Sequence, residues 1–218
     1  MNSIPKNLQI LTTETSFQLP GPTGELEILL SAAPTPANQE SLAIICHPHP
    51  LHGGTLSNKV VTTLAKTFQA LNMQTLRFNF RGVGKSTGHY GEGQGELHDL
   101  YAVLTWVRQV SPQATLWLAG FSFGAYISIC AAREGSFAGL ISVAPPVNHF
   151  PLHEPVNITC PWIVVQGEQD EIVPAAEVFA WVERLHPKPT LIRFPEAGHF
   201  FHGGLTALKE ALLEELKK

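Results

Sequence analysis

Leu116-Trp117-Leu118-Ala119-Gly120-Phe121-Ser122-Phe123-Gly124-Ala125-Tyr126-Ile127-Ser128-Ile129-Cys130-Ala131-Ala132 is the segment on which the reading of this chain turns. Its first four residues are strand-like, residues 125–132 make a compact helical segment, and between them lies Gly120-x-Ser122-x-Gly124. Composition alone would produce a G-x-S-x-G in about one chain of this size in ten. The strand before it and the helix after it give this one meaning, because the motif needs a strand-turn-helix setting. The glycines leave room for a sharp, strained turn that lifts the serine side chain out of the sheet; the bland alternative is a glycine-rich strand exit with a buried serine. Residues 114–132 are also nineteen in a row without a charge, long enough in principle to span a bilayer. A central parallel strand followed by a packed helix is just as apolar, so preparation without detergent is expected.

A serine becomes a useful nucleophile only when a base takes its proton, and the base needs an orienting carboxylate. In strand-turn-helix sites of this kind the chain order is serine, acid, histidine. After the apolar run 162–166 comes Gly167-Glu168-Gln169-Asp170-Glu171-Ile172-Val173-Pro174, and after 191–194 comes Glu196-Ala197-Gly198-His199-Phe200-Phe201-His202. Both follow strand ends, where open α/β sheets place their ligands. Asp170 and His199 are the expected acid and base; Glu168 and Glu171 compete with the first, His202 with the second. Gly198 allows a close turn just before His199. Acyl transfer also requires donors aimed at the developing oxyanion. One is expected to be the backbone N–H of Phe123. The other falls in the loop Cys46-His47-Pro48-His49-Pro50-Leu51-His52-Gly53-Gly54, where prolines have no N–H to give, which leaves His49, favoured, or Leu51 and the residues following.

Working outward, apolar runs at 26–30, 42–46, 75–80, 116–120, 140–144, 162–166 and 191–194 read as strands. Between most of them lie residues at helical spacing: Val60, Leu64, Phe68, Leu71; Leu97, Leu100, Leu104, Val107; Val178, Val182, Leu185; and Leu205, Leu208, Leu212, Leu216. Alternation of strand and helix predicts an α/β fold, a mostly parallel central sheet flanked by helices, in a single domain over 1–218 after an irregular start. Residues 34–38 read as a surface loop, and 145–161, with five prolines, as a segment too broken for a long helix.

With 218 residues and 44% hydrophobic content the chain can bury one core. A formal net charge of −4 without a basic run gives no footprint for nucleic acid or an anionic membrane. Cys46, Cys130 and Cys160 are odd in number and outside any CxxC spacing, which fits a reducing cytoplasm. The first sixteen residues lack the apolar core of a signal peptide, and export is not expected.

Rival chemistries fit less well. Gly84-Lys85-Ser86 resembles the end of a phosphate-binding loop, but the required glycine position is Asn79, and glycines at 88, 91, 93 and 95 deny the lysine an immediate helix. Glu96 and Asp99 are expected to face that loop or solvent as structural charges. His47, His49 and His52 cluster, a pattern that raises zinc as a candidate, and zinc needs three or four converging ligands; the prolines between them make convergence a poor expectation. No metal and no cofactor are expected.

Jointly these motifs resemble the α/β-hydrolases, and within them a small bacterial esterase-like subgroup without a lid. The resemblance is carried by Cys46-His47-Pro48 with Gly53-Gly54 and Asn58-Lys59-Val60-Val61, by Phe78-Asn79-Phe80-Arg81-Gly82-Val83-Gly84, by Gly120-Phe121-Ser122-Phe123-Gly124-Ala125, by Ala144-Pro145-Pro146 and by His199-Phe200-Phe201-His202. It spans nearly the whole chain apart from the ends. It implies hydrolysis of an acyl bond, commonly a carboxylic ester, with an acyl-enzyme on Ser122. The chain departs from the lipase-type H-G-G-G by having His47-Pro48-His49-Pro50. Many relatives insert a helical cap after the strand at 140–144; here only 145–161 separates two strands, so an open site without a cap domain is expected, walled by Phe150 and Leu152 with Leu51 nearby. Small or short-chain acyl groups, no activation at micelles and loss of activity at acid pH follow as expectations. A thioesterase, an amidase or peptidase, a perhydrolase, or a binding module without catalysis are the alternatives on this fold. The expected partner is a small-molecule acyl substrate, with the protein a monomer or homodimer.

Overall fold

The computed structural model describes residues 4–5, 13–35, 41–152 and 157–218. Strands β1 (Thr15–Gly21), β2 (Gly24–Ser31), β3 (Ser41–Cys46), β4 (Gln74–Phe78), β5 (Thr115–Phe121), β6 (Gly139–Val143), β7 (Trp162–Gly167) and β8 (Thr190–Phe194) form one sheet in the order β1-β2-β4-β3-β5-β6-β7-β8. Pairs β1·β2 and β2·β4 are antiparallel and the remainder parallel. The helices are α1 (Lys59–Ala70), α2 (Gln94–Val110), α3 (Phe123–Glu134), α4 (Ala175–Glu183) and α5 (Leu205–Glu215).

Strand periodicity sorts the side chains onto two faces. In β3, Leu42, Ile44 and Cys46 join a core that includes Leu100, Val103 and Val107 of α2, Ile127 of α3 and Val178 and Val182 of α4. Ala43 and Ile45 point the other way, into a core with Val61, Leu64 and Phe68 of α1 and Leu208 and Leu212 of α5. Such a sheet, covered on both faces, buries most of its strand residues, which is why its runs are continuously apolar rather than alternating. Residues 114–132 turn out to be β5, a turn and α3. Among the described residues no helix is long and apolar enough to cross a membrane.

Two readings of the sequence need correction. The irregular start contains a strand: β1 alternates Phe17 and Leu19 into the core and pairs with β2 through a turn at Pro22-Thr23, and its short alternation was outweighed by polar neighbours. Strand β4 stops at Phe78 rather than at 80, because the Ser86 hydroxyl inserts between the Glu27 N–H and the Asn79 carbonyl, at 2.8 and 2.7 Å, and the Phe80 N–H turns to the His47 ring at 3.0 Å. Of the proposed loop at 34–38, residues 36–38 lie outside the described residues.

The Gly-Lys-Ser segment folds back on β2: Ser86 Oγ accepts the Glu27 N–H and Thr87 Oγ1 that of Glu25, both at 2.8 Å. Neither Glu96 nor Asp99 meets solvent. Asp99 holds Arg81 through its Nε, Nη2 and backbone N–H, and Glu96 accepts the N–H groups of Gly91 and Gly93 at the start of α2. A carboxylate so placed completes the orphan donors of the helix N-terminus, which outweighs the cost of burying it.

Candidate active site

Parallel strands β3, β5, β7 and β8 all end on one edge of the sheet, so the loops that follow them converge there. At the end of β5 the chain turns at Ser122, whose φ of 53° and ψ of −119° are unusual for any residue with a Cβ, and α3 begins at the next residue. Both flanking glycines are required by close backbone approach. A Cβ on Gly120 would lie 2.2 Å from the Gly124 carbonyl oxygen, and one on Gly124 would lie 2.3 Å from that of Cys46. The turn therefore packs on itself and on the end of β3.

His199 Nε2 lies 3.1 Å from Ser122 Oγ, and His199 Nδ1 lies 2.8 Å from Asp170 Oδ2. Both His199 and Asp170 are buried, 2% and 9% exposed. Their loops are tied together: the Gln169 N–H donates to the Ala197 carbonyl at 3.0 Å, across Gly167, where a Cβ would meet that same oxygen at 2.3 Å. Asp170 Oδ1 accepts the N–H groups of Ile172 and Val173 at 2.9 and 2.7 Å. Burial pushes the Asp170 carboxyl up, but the His199 hydrogen bond and these two N–H donors outweigh it and hold it below its ordinary value. The competitors go elsewhere. Glu168 pairs with Arg193 at 3.0 Å, Glu171 accepts the His199 backbone N–H at 3.1 Å rather than the ring, and His202 is exposed.

The second loop, after β3, is pinned by His47. Its Nε2 accepts the Phe80 N–H at 3.0 Å, which leaves Nδ1 as the protonated nitrogen, 2.6 Å from the Pro48 carbonyl. Burial, opposed by the Pro48 hydrogen bond, pushes the His47 imidazole down to about 4. The Pro48 carbonyl and the His49 N–H belong to one peptide plane, so fixing the first aims the second. Within this loop the Leu51 N–H is spent on His49 Nδ1 and those of His52 and Gly54 on the His49 carbonyl. The His49 N–H has no acceptor among the described residues, and the Phe123 N–H, first in α3, has no intrahelical one.

Beside Ser122 lies a cavity of about 210 Å³ lined by His49, His52, Phe123, Pro146, His149, Phe150, Ile172 and Val173. Phe150 is a wall, as the sequence suggested. Leu51 and Leu152 are not. Leu51 is 67% exposed at the tip of a short 3-10 turn, Pro50–His52, and Leu152 is buried in the core, its carbonyl holding the Trp181 indole N–H at 2.9 Å. The His49 and His52 rings stack on each other 4.4 Å apart, and His47 faces away into the fold. Among the described residues no group of three or more His, Cys, Asp or Glu is placed to hold a metal.

A family model described as serine aminopeptidase, S33, matches residues 48–154. An α/β serine hydrolase homologue from Coxiella burnetii is 48% identical, with 94% of this chain and 99% of that one covered and a TM-score of 0.91. A lid-less α/β serine hydrolase from Xanthomonas campestris is 43% identical over 95% of each chain, with a TM-score of 0.89. An uncharacterised protein of Rickettsia prowazekii is 36% identical over 193 residues, 83% of this chain and 79% of that protein. The chain belongs to the α/β-hydrolase superfamily.

Sequence reasoning missed three kinds of residue in this α/β-hydrolase. His52, His149 and the adjacent Ile172 and Val173 reach the cavity from three loops with no periodicity to announce them. His47 carries nothing in the sequence that sets it apart from His49 and His52, yet it is buried where they are not. Gln166 does carry a signal, an amide inside the otherwise apolar run of β7.

Proposed function

We propose that this hydrolase cleaves esters of small or short-chain carboxylic acids through an acyl-enzyme on Ser122. The observation that carries the reading is the unbroken chain of contacts from Ser122 Oγ to His199 Nε2, 3.1 Å, and from His199 Nδ1 to Asp170 Oδ2, 2.8 Å. His199 takes the proton of Ser122 as Oγ attacks the acyl carbonyl, while Asp170 keeps the imidazole in the tautomer whose Nε2 is free to accept it. The N–H groups of Phe123 and His49 hold the oxyanion. His199 then gives its proton to the departing alcohol, and water repeats the cycle on the acyl-enzyme.

The cavity supports a small acyl group. At about 210 Å³ it is below the roughly 300–1,000 Å³ of pockets that take drug-sized ligands. It excludes His199, which must face the leaving group, so the acyl part belongs in the cavity and the alcohol outside it, where Phe200 is exposed beside the His199 ring. Its three free cysteines suit a cytoplasmic protein.

The family model's description favours a second reading, cleavage of an amino-terminal peptide bond. That substrate carries an ammonium group, and the cavity presents imidazoles and apolar side chains but no carboxylate among its described lining residues. The experiment is labelling by a fluorophosphonate of wild type and Ser122→Ala, read as intact mass, followed by matched acetyl, butanoyl and decanoyl esters, a thioester and an aminoacyl anilide. One adduct on wild type alone and a preference for the short esters is the expected result. No adduct on folded wild type would overturn the reading, and faster turnover of the anilide would replace it with the second.

A further inference from the structure

Strand β7 reads Trp162-Ile163-Val164-Val165-Gln166-Gly167, and all six residues are buried. A primary amide in that position contradicts the apolar pattern of a strand covered on both faces, and such local contradictions in a consistent fold concentrate at functional sites. The Gln166 amide nitrogen lies 3.0 Å from Asp170 Oδ2, 3.1 Å from the Gly167 carbonyl and 3.2 Å from the Val173 carbonyl. Its two hydrogens thus face three acceptors, and its own carbonyl oxygen has no partner among the described residues. A buried amide left half-satisfied is costly, so an apolar residue of the same size would suit the core better.

Resting on the reading above, we propose that Gln166 is a positioning residue for the reaction: its amide fixes the Asp170 oxygen that orients His199. Asp170 Oδ2 receives both the Gln166 amide and His199 Nδ1–H, and Oδ1 receives the Ile172 and Val173 N–H groups. Four donors fill the four lone-pair sites of the carboxylate. It can neither rotate nor take up a proton without breaking a bond, so the imidazole is held in one plane. Without the amide, Oδ2 keeps only the His199 bond while Oδ1 stays anchored to Ile172 and Val173, so the carboxylate can pivot about Oδ1 and carry the imidazole with it. A small misplacement of a reacting group is enough to lower the rate, by up to about 10²-fold.

The test compares full-length wild type, Gln166→Leu and Gln166→Glu by the rate of Ser122 labelling with a fluorophosphonate, by kcat and KM on p-nitrophenyl acetate from about pH 5 to 9, and by thermal unfolding. In Gln166→Leu, labelling rate and kcat are expected to fall about 10-fold with KM within about twofold, and the acid limb of the profile to move. In Gln166→Glu the introduced carboxyl faces Asp170, whose Oδ2 also holds His199, and its ionisation against Asp170 makes the deficit relative to wild type widen as pH rises. A folded Gln166→Leu with wild-type kcat and pH profile would show a purely structural amide and overturn the proposal. If that variant does not fold, a Gln166→Glu deficit that stays constant with pH overturns it equally. Wild type that takes no label at Ser122 refutes the esterase reading itself, and this inference with it.

Discussion

The Nε2 of His47 accepts the backbone N–H of Phe80 at 3.0 Å, and through that bond the loop after β3 is anchored to the end of β4. The ring is fully buried and its Nδ1–H is spent on the Pro48 carbonyl. It folds as the neutral form, held down at about 4 against 6.5 for a free imidazole. A depressed value means that protonation favours the unfolded chain. The associated stability is present above about pH 6.5 and is lost as pH falls toward 4, by up to about 3 kcal/mol in all. Urea unfolding across that window is expected to show wild type losing stability and His47→Gln losing less of it. Equal slopes would mean that other groups govern the acid limb.

Gly54→Ala tests the same loop from the other side. A Cβ there would lie 1.9 Å from the Pro48 carbonyl oxygen and 2.5 Å from its carbon, so the Pro48–His49 peptide must move, and the His49 N–H with it. The expected loss is about 10²-fold in kcat with KM little changed, the size of a missing oxyanion donor. Gly53→Ala is the control. It meets nothing within 4 Å but has φ of 76°, so it should cost about 1 kcal/mol of stability and little activity.

Ser122 holds a conformation that favours glycine, and the strain is tied to its Cβ rather than to its hydroxyl. Ser122→Ala and Ser122→Gly should both be inactive, and the glycine variant should be the more stable by about 1 kcal/mol, after its greater chain entropy is allowed for. Chemical denaturation of the two inactive proteins checks this. An alanine variant as stable as the glycine one would mean that the turn stores no strain.

Asp170→Asn removes the charge and supplies a donor where His199 Nδ1–H needs an acceptor. The imidazole is expected to turn to the wrong tautomer, with kcat down by about 10³- to 10⁴-fold while the substrate still binds. Because the folded state holds this carboxyl below its ordinary 3.8, its stabilisation is present above that value and lost only as pH falls further. This window lies below that of His47, so the two groups separate in one acid titration of wild type and both variants.

Asp99 is wholly buried and bonds Arg81 through its backbone N–H, Nε and Nη2 at 3.0, 3.0 and 2.7 Å. Replacing it with alanine leaves a largely buried guanidinium unpaired, and a loss of about 3 kcal/mol is expected by urea unfolding. A loss under about 1 kcal/mol would place the pair with surface ion pairs instead.

Much of the architecture could be read from the chain, because parallel strands covered on both faces leave continuous apolar runs and their helices leave a 3.6-residue period. Among the described residues, seven of the strands and the helices α1 to α5 follow that pattern. The exception, β1, is an edge strand with one face to solvent, whose short alternation in Phe17 and Leu19 is weak beside its polar neighbours. Ser122 was legible because a strained turn demands glycines at fixed offsets, and Asp170 and His199 because strand ends mark where their loops must fall.

Other assignments were beyond any pattern in the sequence. Leu51 and Leu152 stand in the right loops, yet one projects into solvent and the other into the core, since loop side chains take their direction from packing and not from a repeat. Whether Glu168, Asp170 or Glu171 meets the His199 ring depends on how β7 and β8 lie side by side, and whether the His49 or the Leu51 N–H is left without an acceptor depends on how the loop after β3 folds on itself. The sequence by itself determined the layers of the fold and the elements that carry Ser122, Asp170 and His199, because these follow from local periodicity and turn chemistry. The tertiary structure decided which groups touch, because hydrogen bonds between loops some tens of residues apart leave no local mark on the chain.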